Sequence, residues 1–474
     1  MNEAKKQRQK PADISQIPVE IILDILSRLP AKTLLTLRCV SKPWCSFIRD
    51  PLLVDLRFSR AISGGPDNFA LFISSYNHST SERHFLSASL HDGAATTHLL
   101  TLPKSGSDPA ESEHINGLVL FRRRNGLSDP NSFAYICNPS TRQILKLPKV
   151  ASIDTSVPYI AYYCYNLFGF DPIANEHKVL NVVIPRAYGL DGKATCKIFS
   201  FKTFKWRKVD AVLPFDAIGA NLSFWQSDEV GDVRPQVGVC VNGVLHWMLK
   251  FVDGIMAFDL KEEKFSVIPL PPEALPANYL ASHGIFVSVN HPYLIQIDGV
   301  LALVCCERFA KLKIIEVWML EDHGKQMWVK DTITFQDRWT KKGIPYPMDI
   351  IYTGEILLRP HTISGNRMRV PLYDMKKKSF RLVEITLAPE WLSQIDVEYG
   401  CARGYVESIL SLRKKDLMII LYLLCLFVGR SDEPVTLAYN GGVVAATNGI
   451  HLPVGVVIVD DVNESPSASG HSLC

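Results

Sequence analysis

The sequence predicts a multidomain α plus all-β chain: three short helices, then a propeller-like β domain of about six blades. Three observations carry that prediction. Apolar residues recur at helical spacing over residues 13–59. Short apolar or alternating runs take over from about Asn68 to Leu412. Markers in that second region return at intervals near 55 to 60 residues, or near twice that.

The helices come first. Pro18 suits the opening turn of a helix, where its missing N–H costs nothing. Val19, Ile21, Ile22, Leu23, Ile25, Leu26 and Leu29 follow, and at 100° per residue they cover an arc of roughly 200°. A surface helix needs an apolar stripe of only about 100°. Pro30 ends this helix, and a second runs through Leu34, Leu35, Leu37 and Val40. Ser41 can cap a third, with Pro43 in its first turn and Trp44, Phe47 and Ile48 on one side. Asp50-Pro51 closes it, and Leu52 to Phe58 add a last turn or two. Three helices in so few residues sit near the size limit for independent folding. The surplus apolar face and the small size both predict that another polypeptide completes the module. Residues 1–12 read as a basic disordered tail and residues 60–67 as a linker.

Over residues 68–412 two markers repeat. Glycines open strands at Gly117, Gly243, Gly299 and Gly354, at separations of 126, 56 and 55 residues. A polar residue followed six positions on by an apolar or aromatic one appears as Asn138 with Ile144, Ser200 with Trp206, Asp259 with Phe265 and Asp374 with Phe380. Their first members lie 62, 59 and 115 residues apart. Trp318 and Trp328 bracket a longer hairpin that fills the last gap, and Phe170-Asp171 supplies another hairpin between the first two markers. Two hairpins per repeat is what a four-stranded blade needs, and radial repetition avoids long exposed strand edges.

Composition excludes several function classes. The chain has 474 residues, 47% apolar and 21% charged, with a net charge of +3, too small for a nucleic-acid or membrane footprint over its whole length. The polar, basic start (Lys5, Lys6, Arg8, Lys10) has no apolar segment of the signal-peptide kind behind it. The eleven cysteines form no Cys-x-x-Cys pair and read as reduced thiols of a cytoplasmic or nuclear protein. His78, His84, His91 and His98 lack metal-ligand spacing, so neither a metal nor a cofactor is expected. No nucleophile elbow, phosphate-cradling glycine loop or His-Glu-x-x-His helix occurs. His246 reads as a satisfied or rim histidine, and Asp171, Asp259 and Asp374 as turn residues. Trp225, Trp247, Trp318 and Trp328 read as blade packing, and Lys376-Lys377-Lys378 as a solvated tip. The twelve apolar residues Leu417 to Val428 are too few for the roughly 20 that span a bilayer, and residues 413–474 form a tail without assignment.

The runs Ile17-Pro18-Val19-Glu20, Ile25-Leu26-Ser27-Arg28-Leu29-Pro30 and Arg38-Cys39-Val40-Ser41-Lys42-Pro43-Trp44 resemble the F-box, particularly as found in large plant families. Ile17 stands where that family usually has Leu. The resemblance implies docking to the Skp-type adaptor of a cullin–RING ubiquitin ligase. By position, Pro18, Ile21, Ile22, Leu26, Leu29, Pro30, Leu34, Leu37, Val40 and Trp44 would form the motif's core and contact face. The later region lacks the double glycine of kelch repeats. It resembles instead the F-box-associated domain, through Asn138-Pro139-Ser140-Thr141-Arg142, Phe168-Gly169-Phe170-Asp171-Pro172, Val241-Asn242-Gly243-Val244-Leu245-His246-Trp247 and Ile255-Met256-Ala257-Phe258-Asp259-Leu260. Together they imply a non-catalytic substrate receptor of an SCF-type ligase, whose β domain binds a target protein that the resemblance does not name. The alternatives are a propeller scaffold or ligand sensor acting outside a ligase, and a propeller enzyme with a rim of carboxylates or a metal.

Overall fold

The computed structural model describes residues 17–63, 69–102, 111–122, 134–148, 150, 162–185, 195–214, 238–248, 254–274, 292–340, 344–351, 353–359, 366–387 and 397–412. It also describes the strand Thr362–Ser364 and three short strands within residues 435–459. The basic tail, Trp225 and the apolar run Leu417 to Val428 lie outside the described residues.

Four helices open the chain: α1 (Val19–Ser27), α2 (Ala31–Leu37), α3 (Lys42–Ile48) and α4 (Pro51–Ser63). Pro18 and Pro30 precede the first two, and the Ser41 side chain accepts from the Trp44 N–H to cap α3. Three helices were expected. The fourth is far longer than a closing turn and enters the stretch expected as linker. Contacts along it explain the length: Leu53 is buried in the module core, Arg57 donates to the Leu29 carbonyl, and Arg60 pairs with Asp24.

Six four-stranded blades follow. Blade I holds β1 (Ala70–Asn77), β2 (Glu82–Ser89) and β4 (Thr97–Leu102), while β3 (Ala94–Ala95) leaves it to pair with blade VI. Blade II holds β5 (Glu111–Ile115), β6 (Leu118–Arg122), β7 (Ala134–Asn138) and β8 (Gln143–Lys146). Blade III holds β9 (Tyr162–Asp171), β10 (Glu176–Pro185), β11 (Thr195–Ser200) and β12 (Lys205–Val209). Blade IV holds β13 (Val239–Val241), β14 (Val244–Met248), β15 (Gly254–Asp259) and β16 (Lys264–Pro269). Blade V holds β17 (Tyr293–Ile297), β18 (Val300–Cys305), β19 (Ile314–Asp322) and β20 (Met327–Thr334). Blade VI holds β21 (Pro347–Ile350), β22 (Glu355–Leu358), β24 (Arg367–Asp374) and β25 (Ser379–Thr386), with β23 (Thr362–Ser364) beside β24. The ring closes where β26 (Val397–Tyr405) becomes the innermost strand of blade I by pairing with β1. Beyond it, β27 (Val435–Tyr439) pairs with β28 (Gly442–Ala446), and β29 (Val457–Val459) runs parallel to β8.

The inner strands β5, β9, β13, β17, β21 and β26 neighbour one another in that order around the axis. Apolar clusters fill all six blade interfaces, from Phe72, Phe85, Val119 and Cys137 between blades I and II to Leu71, Leu86, Leu357 and Leu372 between VI and I.

The two sequence markers are the two turns of one face. Asn116-Gly117, Asn242-Gly243 and Asp298-Gly299 have positive φ at both positions, the geometry of a tight two-residue hairpin between the first and second strands. Asn138, Ser200, Asp259, Asp322 and Asp374 open the turn between the third and fourth strands, and the residue four positions on has positive φ each time. The Asp or Asn oxygen accepts from the turn's own N–H groups, as at Asp259 with Lys261 and Glu262 (2.8 and 2.9 Å). First-to-second and third-to-fourth turns share one face of a propeller, here the near face. The remaining connections form the far face. The long interval from Gly117 to Gly243 spans blade III, which uses the Asp171–Asn175 turn in place of Asn-Gly.

Candidate functional site

The helical module holds the ten residues expected to act together, and its own packing separates them. Ile22, Leu26 and Leu34 are buried with Leu23, Ala31, Ile48 and Leu53. Leu29, Leu37 and Trp44 are half-buried against that core. Pro18, Ile21, Pro30 and Val40 are exposed. The broad apolar arc of α1 is therefore two stripes, one folded inward and one facing out.

The outward stripe is larger than the expected set. Ile21 and Ile25, one turn apart, expose 51% and 53% of their surface, and Val40 exposes 65%. Ile17 and Val19 at the helix start add 44% and 45%. Ile25 was part of the motif in the sequence but not of the expected contact face. The i, i+4 offset from Ile21 is the signal that could have placed it there.

The inward side is covered by a later stretch of the same chain. After β26 the residues 406–412 cross the near face in extended form without pairing as a strand. The closing strand ends at Tyr405. Beyond that point the backbone is held by side chains. The Asn138 amide donates to the carbonyls of Ser408 and Leu410 (3.0 and 2.8 Å), and the Ser408 N–H donates to Ser140 Oγ (3.0 Å). The Leu412 N–H donates to Gln143 Oε1 (2.8 Å). A Cβ on Gly117 would lie 2.5 Å from the Val406 carbonyl oxygen, so the segment passes where only glycine leaves room.

Alternate residues of this strap face the module. Ile409 joins the helical core, and Glu407 Oε2 accepts from the Ala31 N–H (3.1 Å) while pairing with Arg57 (3.4 Å). Ala31 opens α2, and Pro30 before it provides no side-chain cap, so Glu407 takes that role from 376 residues away. On the module's flank, Asn175 Nδ2 donates to Asp55 Oδ2 (2.7 Å). The hydrogen bond from Arg60 holds the Asp24 carboxyl below its usual range, and Arg28 adds to the effect.

The other singled-out residues have structural surroundings. His246 is buried, and desolvation lowers its pKa to about 4. Trp247 and Trp318 are buried in blade interfaces, and Trp328 packs against one. Asp259 and Asp374 serve their turns, whereas Asp171 also holds the buried Lys178 (2.7 Å). Lys376, Lys377 and Lys378 form an exposed tip. Burial raises the Cys196 and Cys240 thiols to about 11, away from reactive thiolate character. Among the described residues no three His, Cys, Asp or Glu side chains gather in a metal-holding cluster. No helix among them is long and apolar enough to cross a membrane.

Comparison with known proteins agrees with this architecture. The F-box domain pattern matches residues 14–55, and the F-box associated beta propeller domain matches residues 64–402. F-box protein At1g30790 of Arabidopsis thaliana is 25% identical over 406 residues, covering 79% of this chain and 91% of its own. F-box protein DOR of the same plant is 28% identical over 387 residues, covering 78% and 88%. F-box protein CPR1 is 26% identical over 390 residues, covering 79% and 86%. Among solved structures, apo AztD from Citrobacter koseri aligns at a TM-score of 0.34 and 12% identity, over 72% of this chain and 99% of that one. The helical module, the six-bladed ring and the two matched patterns together place this chain in the family of F-box proteins with an F-box associated beta propeller domain.

Proposed function

We propose that this chain is the target-recognition subunit of an SCF-type, cullin–RING ubiquitin ligase. Its helical module docks a Skp-type adaptor, and its propeller holds the protein to be modified. The chain provides no bond-making residue. It raises the effective concentration of a target lysine beside the charged ubiquitin carrier.

One observation carries this reading. The module's inward side is completed by the chain's own strap, yet Ile17, Ile21, Ile25 and Val40 remain exposed. Fully burying one such side chain contributes about 1.5–3 kcal/mol, so an adaptor covering the stripe gains substantially. Of the ten expected residues, the exposed Pro18, Ile21, Pro30 and Val40 would touch the adaptor. Ile22, Leu26 and Leu34 act by holding the helices in position.

This division determines the test. Leu26→Ala would leave a cavity costing about 2–5 kcal/mol and would confuse unfolding with lost contact. Ile21→Asp with Ile25→Asp changes only exposed positions. Full-length protein carrying this pair should keep its melting temperature and lose adaptor binding by more than about 100-fold, since it sets two charges against an apolar partner. Wild-type-like capture of the adaptor by the folded double variant would remove the proposal.

A further inference from the structure

Blades V and VI carry a charge surplus that the whole chain lacks. Residues 293–386 contain fifteen Lys and Arg against eleven Asp and Glu, a surplus of four, while the full chain has only +3. Many of these charges are neutralised locally. Arg308 and Lys330 share the buried Glu316, Arg367 and Arg369 share Glu384, and Arg381 and Lys378 hold Glu355 and Asp331. Lys311, Lys313, Arg338 and Arg359 form no ion pair with an acid among the described residues.

All four belong to far-face connections. Lys311 and Lys313 lie between β18 and β19, Arg338 in the crossover from blade V to blade VI, and Arg359 at the end of β22. Aromatic packing between blades V and VI links Lys313 with Arg338, and a separate aromatic pair lies beside Arg359. Lys313 Nζ stands 5.5 Å over the Phe309 ring, and the Phe335 N–H donates to its carbonyl (2.9 Å). Phe335 packs on Phe380 (5.2 Å), Trp339 stacks on Phe380 (5.1 Å), and the Arg338 guanidinium lies over Trp339 (5.4 Å). The Arg359 N–H donates to the Tyr346 carbonyl (2.8 Å), and Tyr346 meets Tyr293 of blade V (6.4 Å). Leu312 is 57% exposed between the two lysines. The acids on these same connections are Glu307 and Asp337, both exposed, so cations outnumber them two to one.

We infer that this far-face rim between blades V and VI docks an Asp- and Glu-rich segment of the target protein, with an apolar side chain against Leu312. The inference rests on the target-recognition reading of the propeller. Charge complementarity identifies the partner chemistry, and the exposed Leu312 between two lysines fits an apolar side chain of a peptide. Four cations around a rim fall short of the long track of phosphate contacts that a nucleic acid requires. The helical module meets the ring at the near face, beside the turns of blades II and III, so a segment bound here lies on the opposite face from the module.

The probe is a fluorescein-labelled oligo-glutamate peptide with a central leucine, followed by fluorescence anisotropy on the full-length protein. Binding should weaken as salt rises. Lys311→Glu with Arg338→Glu should weaken it by about tenfold or more. Lys325→Glu with Lys376→Glu, the same charge change at exposed near-face tips, should leave it unchanged. Equal binding by wild type and the rim variant, equal loss in both variants, or tighter binding of an RNA oligonucleotide at the rim would each overturn the inference. Adaptor capture by the same proteins separates the two questions. Wild type that binds the peptide but not the adaptor speaks against the ligase role alone.

Discussion

His177 and His246 sit where a protonated imidazole has little to receive it. His177 stacks on Phe168 at 5.6 Å with Phe170 and Phe201 at its edges, and His246 is buried in blade IV. Desolvation lowers both from an ordinary value of 6.5 to about 4. Above pH 6.5 both folded and unfolded chains hold these rings neutral, and their contribution to stability is complete. As pH falls from 6.5 towards 4 the unfolded chain takes up protons that the folded chain refuses, so stability drops, by on the order of 3 kcal/mol for each ring. Urea midpoints at pH 7.5 and pH 5 should show the loss, and His177→Phe should shrink it. A midpoint loss of unchanged size in that variant would dismiss His177 as a contributor. The sequence put His246 in a strand, but alternation alone does not say which side of a blade meets a neighbour. The same limit applies to α1, where period 3.6 revealed too much apolar surface but not that Ile22 turns inward and Ile21 outward.

The hairpins were the most legible elements. Their geometry is local: an Asp or Asn oxygen satisfies its own turn, and a positive-φ residue follows four positions later, so the pattern is written in a few consecutive residues. Blade count followed from the spacing. The turns are not equal, however. Asp374 serves only an exposed tip, whereas buried Asn138 accepts from Ser140 and Thr141 and also donates twice to the strap. Asn138→Ala should therefore cost on the order of 3 kcal/mol, by chemical denaturation, because it orphans buried backbone groups on two elements. Asp374→Ala should cost a small fraction of that. Near-equal losses would mean that the strap contacts contribute nothing. Blade I offered no marker on the near face because its innermost strand comes from the other end of the chain, a pairing no local spacing encodes.

At the scale of the whole molecule, residues 406–412 join the two parts. Alternate side chains point to blade II and to the helices, which makes the module a ledge fixed on the propeller rather than a bead on a linker. Ile409→Ala should cost about 2–4 kcal/mol, felt first in the helices. Hydrogen exchange should then quicken in α1 and α2 while blade IV keeps its protection, and uniform acceleration through both would refute a localised role. Sequence reasoning foresaw that the small module needs outside help, but assigned all of it to a separate protein. Part of it comes from Glu407 and Ile409 of the same chain.

That arrangement has a consequence for synthesis. The earliest-made helices gain their last core residue, and the ring its innermost strand of blade I, only from residues near the far end of the message. A ribosome that stalls before Leu412 therefore releases a product whose first domain is still unfinished. Completion of both parts is thereby reserved for chains translated at least as far as Leu412.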